Sequence, residues 1–274
     1  MESIATGLRK ISKNKLPLWN ENLPRATSID TSFEQPLLEK KVIYFPSCIN
    51  RTMGNSSVSV EEKTVYEVTI ELLQKAGYQI IFPENLENLC CGMPLSSKGY
   101  VDAGLTKAQE LQASLLTASE YGKYPVLCDM SPCTKTMLEK FDSSIKVLEP
   151  IEFVLNHLVD ELEFTQIDEA ITIHTTCSSR KMGLENKFKT LADLCAKEVI
   201  IPADIQCCGF AGDRGFTFPE LNASALSTLK EQTKNAKYAF STSKTCEIGL
   251  SEHSDLDYNS ILYLVNKCTK AKNK

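Results

Sequence analysis

The chain has 274 residues, a formal net charge of -5 and a sequence pI near 5.4. A hydrophobic share of 42% and a charged share of 24% are ordinary for a folded protein, so disorder, collagen and low complexity are excluded. The acidic balance argues against nucleic-acid binding, which needs a basic face. The length predicts about two domains. Eleven cysteines are too few for a disulfide scaffold, and an odd number cannot all pair within one chain.

Residues 1–40 predict a short helix followed by a linker that contains Pro17 and Pro24. The N-terminus carries Glu2 and lacks the apolar core of a secretory signal. No apolar run reaches the ~18 residues of a membrane span. The chain is therefore expected to be cytoplasmic. In that reducing compartment, clustered cysteines are more typical of metal or redox sites than of structural disulfides.

The next segment, residues 41–165, alternates short β-rich runs with helical patterns. Ser59 and Glu62 form a predicted capping box for a helix that carries apolar residues at helical spacing and ends at Gly77. Two further helices are predicted, one carrying Leu105, Ala108, Leu111, Leu115 and Leu116 and one beginning at Ser131. Four strands are predicted, at 42–45, 79–82, 125–128 and 146–148.

Residues 166–274 repeat the pattern of the first segment. YFPSCINRTMG, ending at Gly54, aligns with IHTTCSSRKMG, ending at Gly183. Helices are predicted near 187–198, 219–236 and 257–267. The alternation predicts an α/β fold of two pseudo-symmetric repeats, each a small open sheet of mostly parallel strands with flanking helices.

The cysteines take matching places in the two repeats: one follows the first strand, Cys-Cys-Gly follows the second, and a last one follows the third. Loops at the carboxyl ends of parallel strands meet at one sheet edge, so four thiols should converge in each repeat. Gly92 and Gly209 suit the kink that aims two consecutive cysteines at one centre. The eight predicted ligands are Cys48, Cys90, Cys91 and Cys133 in the first repeat and Cys177, Cys207, Cys208 and Cys246 in the second.

Four thiolates favour zinc or an iron–sulfur cluster, because they are too soft for magnesium or calcium. Three cysteines fall outside the repeat. Cys128 is interpreted as a core residue, with an extra ligand left open, and Cys195 and Cys268 are interpreted as packed or inert. His174, in a predicted strand, is interpreted as a satisfied polar core residue.

The loop after the second cysteine pair, residues 208–216, is the other informative segment. Its glycines would let backbone amides form a nest for an anion. Arg214 could hold a carboxylate, a quinone oxygen or an acidic partner, and Asp213 could position it. A tight turn that houses the two cysteines explains the loop equally well. The chain lacks phosphate-loop, serine-hydrolase and zincin motifs, so those activities have no support.

These motifs resemble a known family. YFPSCINR, CCGMPLSSKGY, DMSPC, HTTCSSRKMGL, CCGFAGDRGF and TSKTCEIGLSEHS look like the CCG cysteine-rich domain of heterodisulfide reductase and of glycolate oxidase and lactate-utilisation iron–sulfur proteins. The likeness is closest to the C-terminal cysteine-rich region of FAD-linked iron–sulfur D-lactate dehydrogenases, from about residue 16 onward. Many such domains end each repeat in C-x-x-C, but Met130 and Ser243 take the upstream positions here, so four ligands per repeat fit an ordinary 4Fe-4S cubane or zinc.

The resemblance implies an iron–sulfur module that passes electrons from a reduced flavin toward a quinone or cytochrome. This sequence does not include the FAD domain and ferredoxin-like cysteine runs of the full enzymes, so it is expected to be either a separate subunit or a C-terminal piece of such an enzyme. The chain is therefore expected to need a flavoprotein partner with ferredoxin-like clusters, to reach the inner face of the membrane only through partners, and not to oxidise a 2-hydroxy acid alone. Two alternatives stay open: a zinc-binding structural or docking role, and thiol–disulfide catalysis.

Overall fold

The computed structural model describes residues 2–12 and 16–272, and short strands alternate with helices throughout both repeats. The N-terminal region and the first repeat contain α1 (Glu2–Ile11), β1 (Pro24–Ala26), β2 (Lys41–Phe45), α2 (Cys48–Thr52), β3 (Met53–Ser56), α3 (Val65–Lys75), β4 (Gln79–Ile81), α4 (Met93–Ser96), α5 (Val101–Ala118), β5 (Val126–Cys128), α6 (Ser131–Lys140), β6 (Val147–Leu148), α7 (Pro150–Phe153) and β7 (Leu162–Phe164). The second repeat contains β8 (Ile171–Ile173), α8 (Cys177–Lys181), α9 (Glu185–Cys195), β9 (Val199–Ile200), α10 (Pro219–Ala225), α11 (Leu229–Thr233), β10 (Tyr238–Ser241), α12 (Lys244–Glu252), β11 (Tyr258–Ser260), α13 (Ile261–Lys267) and β12 (Thr269–Ala271).

Each repeat contains a four-stranded parallel sheet, and the two sheets have the same topology. The strand orders are β4-β2-β5-β6 and β9-β8-β10-β11, so the first strand of each repeat lies between the second and the third. Ile43 pairs with Ile81 on one side and Val126 on the other. The predicted α/β class of two parallel-sheet repeats with flanking helices is confirmed.

Two short antiparallel ribbons lie outside these sheets, and the apolar pattern does not predict them. Strand β1 of the linker pairs with β3, and the C-terminal β12 pairs with β7. Strands of three or four residues are too short to show an alternating pattern. Thr269 lies opposite Phe164, so the C-terminus is tied back to the end of the first repeat.

Helix α3 begins later than expected, and the capping box predicted at Ser59 is wrong. Thr64 is the N-cap: its amide donates to Glu67 Oε2 (2.7 Å), and the Glu67 amide donates to Thr64 Oγ1 (3.3 Å). The Ser59 hydroxyl instead donates to Asp257 Oδ2 of the second repeat, at 2.7 Å. A long-range contact thus takes the residue that local spacing assigns to the cap.

The helix predicted at 219–236 is broken into α10 and α11. Ser227 and Thr228, which lie in the turn between them, are weak helix formers. The break lets both Leu226 and Leu229 reach the core. The helix predicted near 187–198 is confirmed as α9 (Glu185–Cys195), although it starts and ends slightly earlier.

The helix predicted at 257–267 begins only at Ile261. Residues Tyr258–Ser260 are extended and pair with β10, so they complete the second sheet. The Ser260 side chain then caps α13 by accepting a hydrogen bond from the Leu262 amide. Sheet pairing, a tertiary effect, overrides the local helical pattern here.

The longest helix, α5, lies on the outer face of the first sheet. Ala108, Leu111 and Leu115 are buried as the spacing predicts, whereas Leu105 is exposed. Among residues 2–12 and 16–272, no helix combines the length and the apolar character needed to cross a bilayer.

One apolar core lies between the two repeats. Leu72 on α3 and Val265 on α13 belong to the same buried cluster, which also includes Ile171 of the second sheet. Two smaller clusters cover the outer faces, one around Leu111 in the first repeat and one around Leu250 in the second. The repeats therefore share their main core.

Candidate metal centres

The first cysteine of each set begins a short helix directly after the first strand. Ser47 caps α2 by accepting from the Asn50 amide, and Thr176 caps α8 by accepting from the Ser179 amide. Cys48 and Cys177 are the first residues of these helices. Both thiols therefore lie at the carboxyl ends of their sheets, as the alignment predicts.

The Cys-Cys-Gly segments have the same backbone geometry in both repeats. Gly92 has φ +81° and Gly209 has φ +70°, in the left-handed region that suits glycine. The Gly92 amide donates to Cys90 Sγ, and the Gly209 amide donates to Cys207 Sγ, each at 3.4 Å. The kink predicted from the sequence thus also supplies a hydrogen bond that stabilises the ionised sulfur.

The glycines also allow a close approach to the following helix. A Cβ on Gly92 would lie 1.9 Å from the carbonyl oxygen of Gly104 on α5. A Cβ on Gly209 would lie 2.6 Å from the carbonyl oxygen of Leu221 on α10. Any side chain at these positions would push the cysteines away from the sheet edge.

The first set forms a continuous chain of thiol contacts. Cys48 contacts Cys90, Cys90 contacts Cys91, and Cys91 contacts Cys133. Cys133 also contacts Cys128, which is fully buried. The interpretation of Cys128 as an ordinary core residue is therefore incomplete, because a fifth sulfur adjoins the first set.

The second set has the same order and lacks the fifth sulfur. Cys177 contacts Cys207, Cys207 contacts Cys208, and the Cys208 thiol donates to Cys246 Sγ at 3.0 Å. Ser241 takes the position equivalent to Cys128, and it donates to the carbonyl oxygen of His174 instead.

Each set spans the boundary between core and solvent. Cys91, Cys133, Cys208 and Cys246 are buried in the outer apolar clusters. Cys177 and Cys207 are exposed, and Cys48 and Cys90 are half-buried. A bound group would thus have one protected side and one side within reach of a partner.

One thiol in each set is poised to ionise first. The hydrogen bond from Cys48, with a second from Cys91, lowers the pKa of Cys90 well below its usual range. The bond from Cys177, with one from Cys208, does the same to the pKa of Cys207. The donating thiols shift in the opposite direction, since those hydrogen bonds and burial raise the pKa of Cys48 and of Cys177.

The loops after the third strands, which precede the last cysteine of each set, contact each other. The Ser131 amide donates to the carbonyl oxygen of Thr242 (3.1 Å), and the Lys244 amide donates to Met130 Sδ (3.3 Å). Cys133 and Cys246 follow directly on α6 and α12. The pseudo-symmetry therefore brings the last cysteine of each set to the interface between the repeats.

The loop 208–216 contacts the first repeat, but its Asp213 does not position Arg214 as expected. Asp213 pairs with Lys98 of the first repeat at 2.7 Å, rather than positioning Arg214. Arg214 is exposed. Arg51 adjoins the first thiol set, one helical turn after Cys48, and Arg180 takes the matching place after Cys177. The repeat alignment contains both arginines, but composition alone singles out neither.

A cavity of about 400 Å³ opens beside the first set. Cys48 and Arg51 lie on one wall, and the linker residues Thr27, Ser28, Ile29 and Thr31 lie on another. The linker predicted from the proline spacing thus also shapes the approach to the first thiols.

Cys195 and Cys268 lie outside both sets and contact each other. Their thiols are hydrogen-bonded, and Cys268 Sγ also donates to the carbonyl oxygen of Cys195 at 3.3 Å. Both are buried, as predicted, but they form a pair that no repeat alignment reveals.

His174 is buried as predicted, yet its Nε2 atom has no hydrogen-bond partner, so it is not a satisfied core residue. Burial, with the charge of Arg180, lowers the pKa of His174 to about 4, so the ring is neutral at pH 7. Its interaction with Cys207 places it at the second set.

The donor chemistry of both sets fits a thiolate-bound metal or iron–sulfur cluster. Within residues 2–12 and 16–272, no three His, Cys, Asp or Glu side chains stand in a ready-made arrangement around a metal ion. The thiols contact one another instead. Binding a metal would require them to rotate apart.

Both repeats match the model of one known protein family. The model of the CCG cysteine-rich domain matches residues 42–138 and 171–251, one match in each repeat. Three relatives are each named Lactate utilization protein A. The one from Bacillus velezensis is 28% identical over 63% of this chain and 73% of its own length. The one from a Geobacillus species is 30% identical over 62% and 73%, and the one from Bacillus licheniformis is 27% identical over 73% and 81%.

A solved structure, the aspartate racemase of Picrophilus torridus, superposes over 85% of this chain and 96% of its own with a TM-score of 0.36 and 8% identity. That likeness is too weak to bear on fold or function. The family model, in contrast, matches more than half of the chain, and its two matched ranges include all eight predicted ligands. The chain therefore belongs to the family of proteins with the CCG cysteine-rich domain.

Proposed function

We propose that this chain is an iron–sulfur electron-transfer component of a lactate-utilisation system, which takes electrons from a flavoprotein and passes them toward a quinone or cytochrome. The relatives' names support the link to lactate. The observation that carries the proposal is the duplicated set of four thiols, each with a glycine amide directed at its first Cys-Cys sulfur.

The two ligand sets would each hold one cluster, of the 4Fe-4S type. Such a cluster supplies one-electron transfer when bound. The chain contributes the conditions: the amides of Gly92 and Gly209 stabilise ionised sulfur, and the apolar clusters around Cys91 and Cys208 limit contact with water. The alternative that changes this proposal least is zinc in one of the two sets, because zinc binds the same four thiolates.

The test is anaerobic purification followed by assays of iron, acid-labile sulfide and zinc, with electron paramagnetic resonance after reduction by dithionite. We expect iron and sulfide in equal amounts and a spectrum of reduced clusters. A matched sample purified in air controls for oxidative loss. A colourless anaerobic protein that holds only zinc would overturn the proposal and favour the docking role, which chelator-induced unfolding would then support.

Thiol–disulfide exchange is a second candidate, favoured by the 3.0 Å contact between Cys208 and Cys246 and by the exposed Cys207 with its lowered pKa. It predicts rapid alkylation of Cys207 in metal-free protein at neutral pH. Alkylation at the rate of an ordinary thiol would count against it.

A further inference from the structure

Arg51 is a buried cation beside the first thiol set. It lies on α2 one turn after Cys48 and is 8% exposed. Its Nη2 donates to the carbonyl oxygen of Leu89, at 2.5 Å, and Leu89 directly precedes Cys90. The guanidinium also lies over the Phe45 ring, 5.9 Å from its centroid. Arg51 is thus held between the first-strand helix and the Cys-Cys-Gly segment.

The charge of Arg51 has no acidic partner in the described part of the chain. Its Nε and Nη1 atoms are buried and make no hydrogen bond. A buried charge with two unpaired donors is strongly unfavourable unless a negative group balances it. Arg51 lies on the same helix as Cys48, lines the same cavity, and is bonded to the residue before Cys90, so the balancing negative charge is assigned to the first set.

The equivalent residue of the second repeat, Arg180, is already neutralised. Its Nη1 pairs with Glu185 at 2.6 Å and donates to Gln206 Oε1 at 2.9 Å. Its Nε donates to the carbonyl oxygen of Thr175. Gln206 precedes Cys207 just as Leu89 precedes Cys90, so the two arginines occupy matched positions. They differ in that Arg180 is paired with a carboxylate and Arg51 is not.

We propose that Arg51 is the counter-charge of the first thiol set and makes the first centre the more easily reduced of the two, so that electrons pass from the second set to the first. The inference builds on the proposed function. Reduction adds negative charge to a thiolate-bound centre, and an unscreened buried cation stabilises that charge more than an arginine already paired with a carboxylate. Arg51 acts as a positioning and electrostatic residue that need not touch the metal.

The order of the two centres can be tested in the wild-type holoprotein. A redox titration followed by electron paramagnetic resonance yields two midpoint potentials, and Cys90→Ala identifies which signal belongs to the first set. We expect the first set to have the more positive potential. If the remaining signal in Cys90→Ala is the more positive one, the proposal is overturned whatever the arginine variants do.

The role of Arg51 is tested by Arg51→Gln, with Arg180→Gln as the matched control. Arg51→Gln should shift the electron distribution between the centres at least tenfold toward the second set, through a change in the first potential alone. Arg51→Lys, which keeps the charge, should restore most of the difference. An unchanged distribution in Arg51→Gln, or an equal shift in Arg180→Gln, would contradict the proposal.

Zinc-loaded protein provides a measurement that separates this inference from the proposed function. If the sets hold zinc and no iron, the electron-transfer proposal fails, but a four-thiolate zinc site is still negatively charged. Competition with a chelator should then release zinc from the first set of Arg51→Gln about tenfold more readily than from wild type. Equal release from the two proteins, with circular dichroism showing both folded, would overturn the counter-charge role.

Discussion

At the scale of single residues, chemistry depends on which cysteines share a centre. The repeat assigns eight thiols to two sets, and the contact chain from Cys48 to Cys133 brings four of them together in space. Local sequence predicts this because offsets after a strand are preserved when a unit is duplicated. The partner of Cys195 is not predictable in this way, since Cys268 approaches it from a distant part of the chain.

Cysteine substitutions should separate the sets from the remaining thiols. Cys90→Ala should lose about half of the bound metal, because one of two sets is opened. Cys195→Ala, which removes a thiol from the buried pair, should keep its full metal content. Metal analysis of the two purified variants decides the matter, and a loss of metal in Cys195→Ala would place that pair among the ligands.

Gly92, the glycine of the first Cys-Cys-Gly segment, can be compared with Gly99, which has a similar positive φ. Gly92→Ala should lower the free energy of unfolding by on the order of 3 kcal/mol and deplete the first centre, because its Cβ would meet the Gly104 carbonyl. Gly99, at φ +91°, has nothing within 4 Å of such a Cβ. Gly99→Ala should therefore cost only about 1 kcal/mol of backbone strain. Urea unfolding of both variants gives the comparison, and equal losses would refute the close-approach argument.

At the scale of secondary-structure elements, the apolar runs of the first repeat predict its strands. The ends of helices, in contrast, depend on contacts with other segments of the chain. Strand β11 forms because Tyr258–Ser260 can pair with β10, although the same residues fit a helical pattern. Ser59 has the right spacing for a cap but is engaged by Asp257. Both outcomes are set by neighbours that are distant in sequence.

The true cap of α3 leads to a quantitative expectation. Thr64→Ala should reduce the free energy of unfolding by about 1 kcal/mol, because the Glu67 amide loses its acceptor at the helix start. Thr64→Ser, which keeps a hydroxyl acceptor at the N-cap, should stay within about 0.5 kcal/mol of wild type. Chemical denaturation of the two variants measures the difference, and an equal loss in both would contradict the capping role of the Thr64 hydroxyl.

At the scale of the whole molecule, the two repeats are joined by their shared core and by the β7–β12 ribbon. This arrangement makes the relative position of the two thiol sets a property of the fold rather than of a linker. The contact of Ser131 with Thr242 places both third-strand loops at the same interface. Cooperative folding of the repeats should follow.

Leu72→Ala tests that cooperativity. Leu72 is 1% exposed in the shared core, so the substitution should cost roughly 2–5 kcal/mol. Hydrogen exchange should then show protection falling in both repeats together. Leu138→Ala, on an exposed position of α6, is the control and should leave protection unchanged. Loss of protection in the first repeat alone would show that the repeats unfold independently.

The duplication, the parallel α/β class, the grouping of eight cysteines and the glycine kinks all follow from the amino-acid sequence, because each depends on short-range spacing that the chain carries in two copies. Three further features emerge only in the folded chain: Cys128 adjoins the first set, Cys195 meets Cys268, and Arg51 is left without a carboxylate while Arg180 has Glu185. The contact of Cys195 with Cys268 joins segments far apart in sequence, whereas Cys128 and Cys133, like Arg180 and Glu185, are only five residues apart and meet because of how the chain turns between them. Burial sets their energetic weight, and burial is a property of the folded chain.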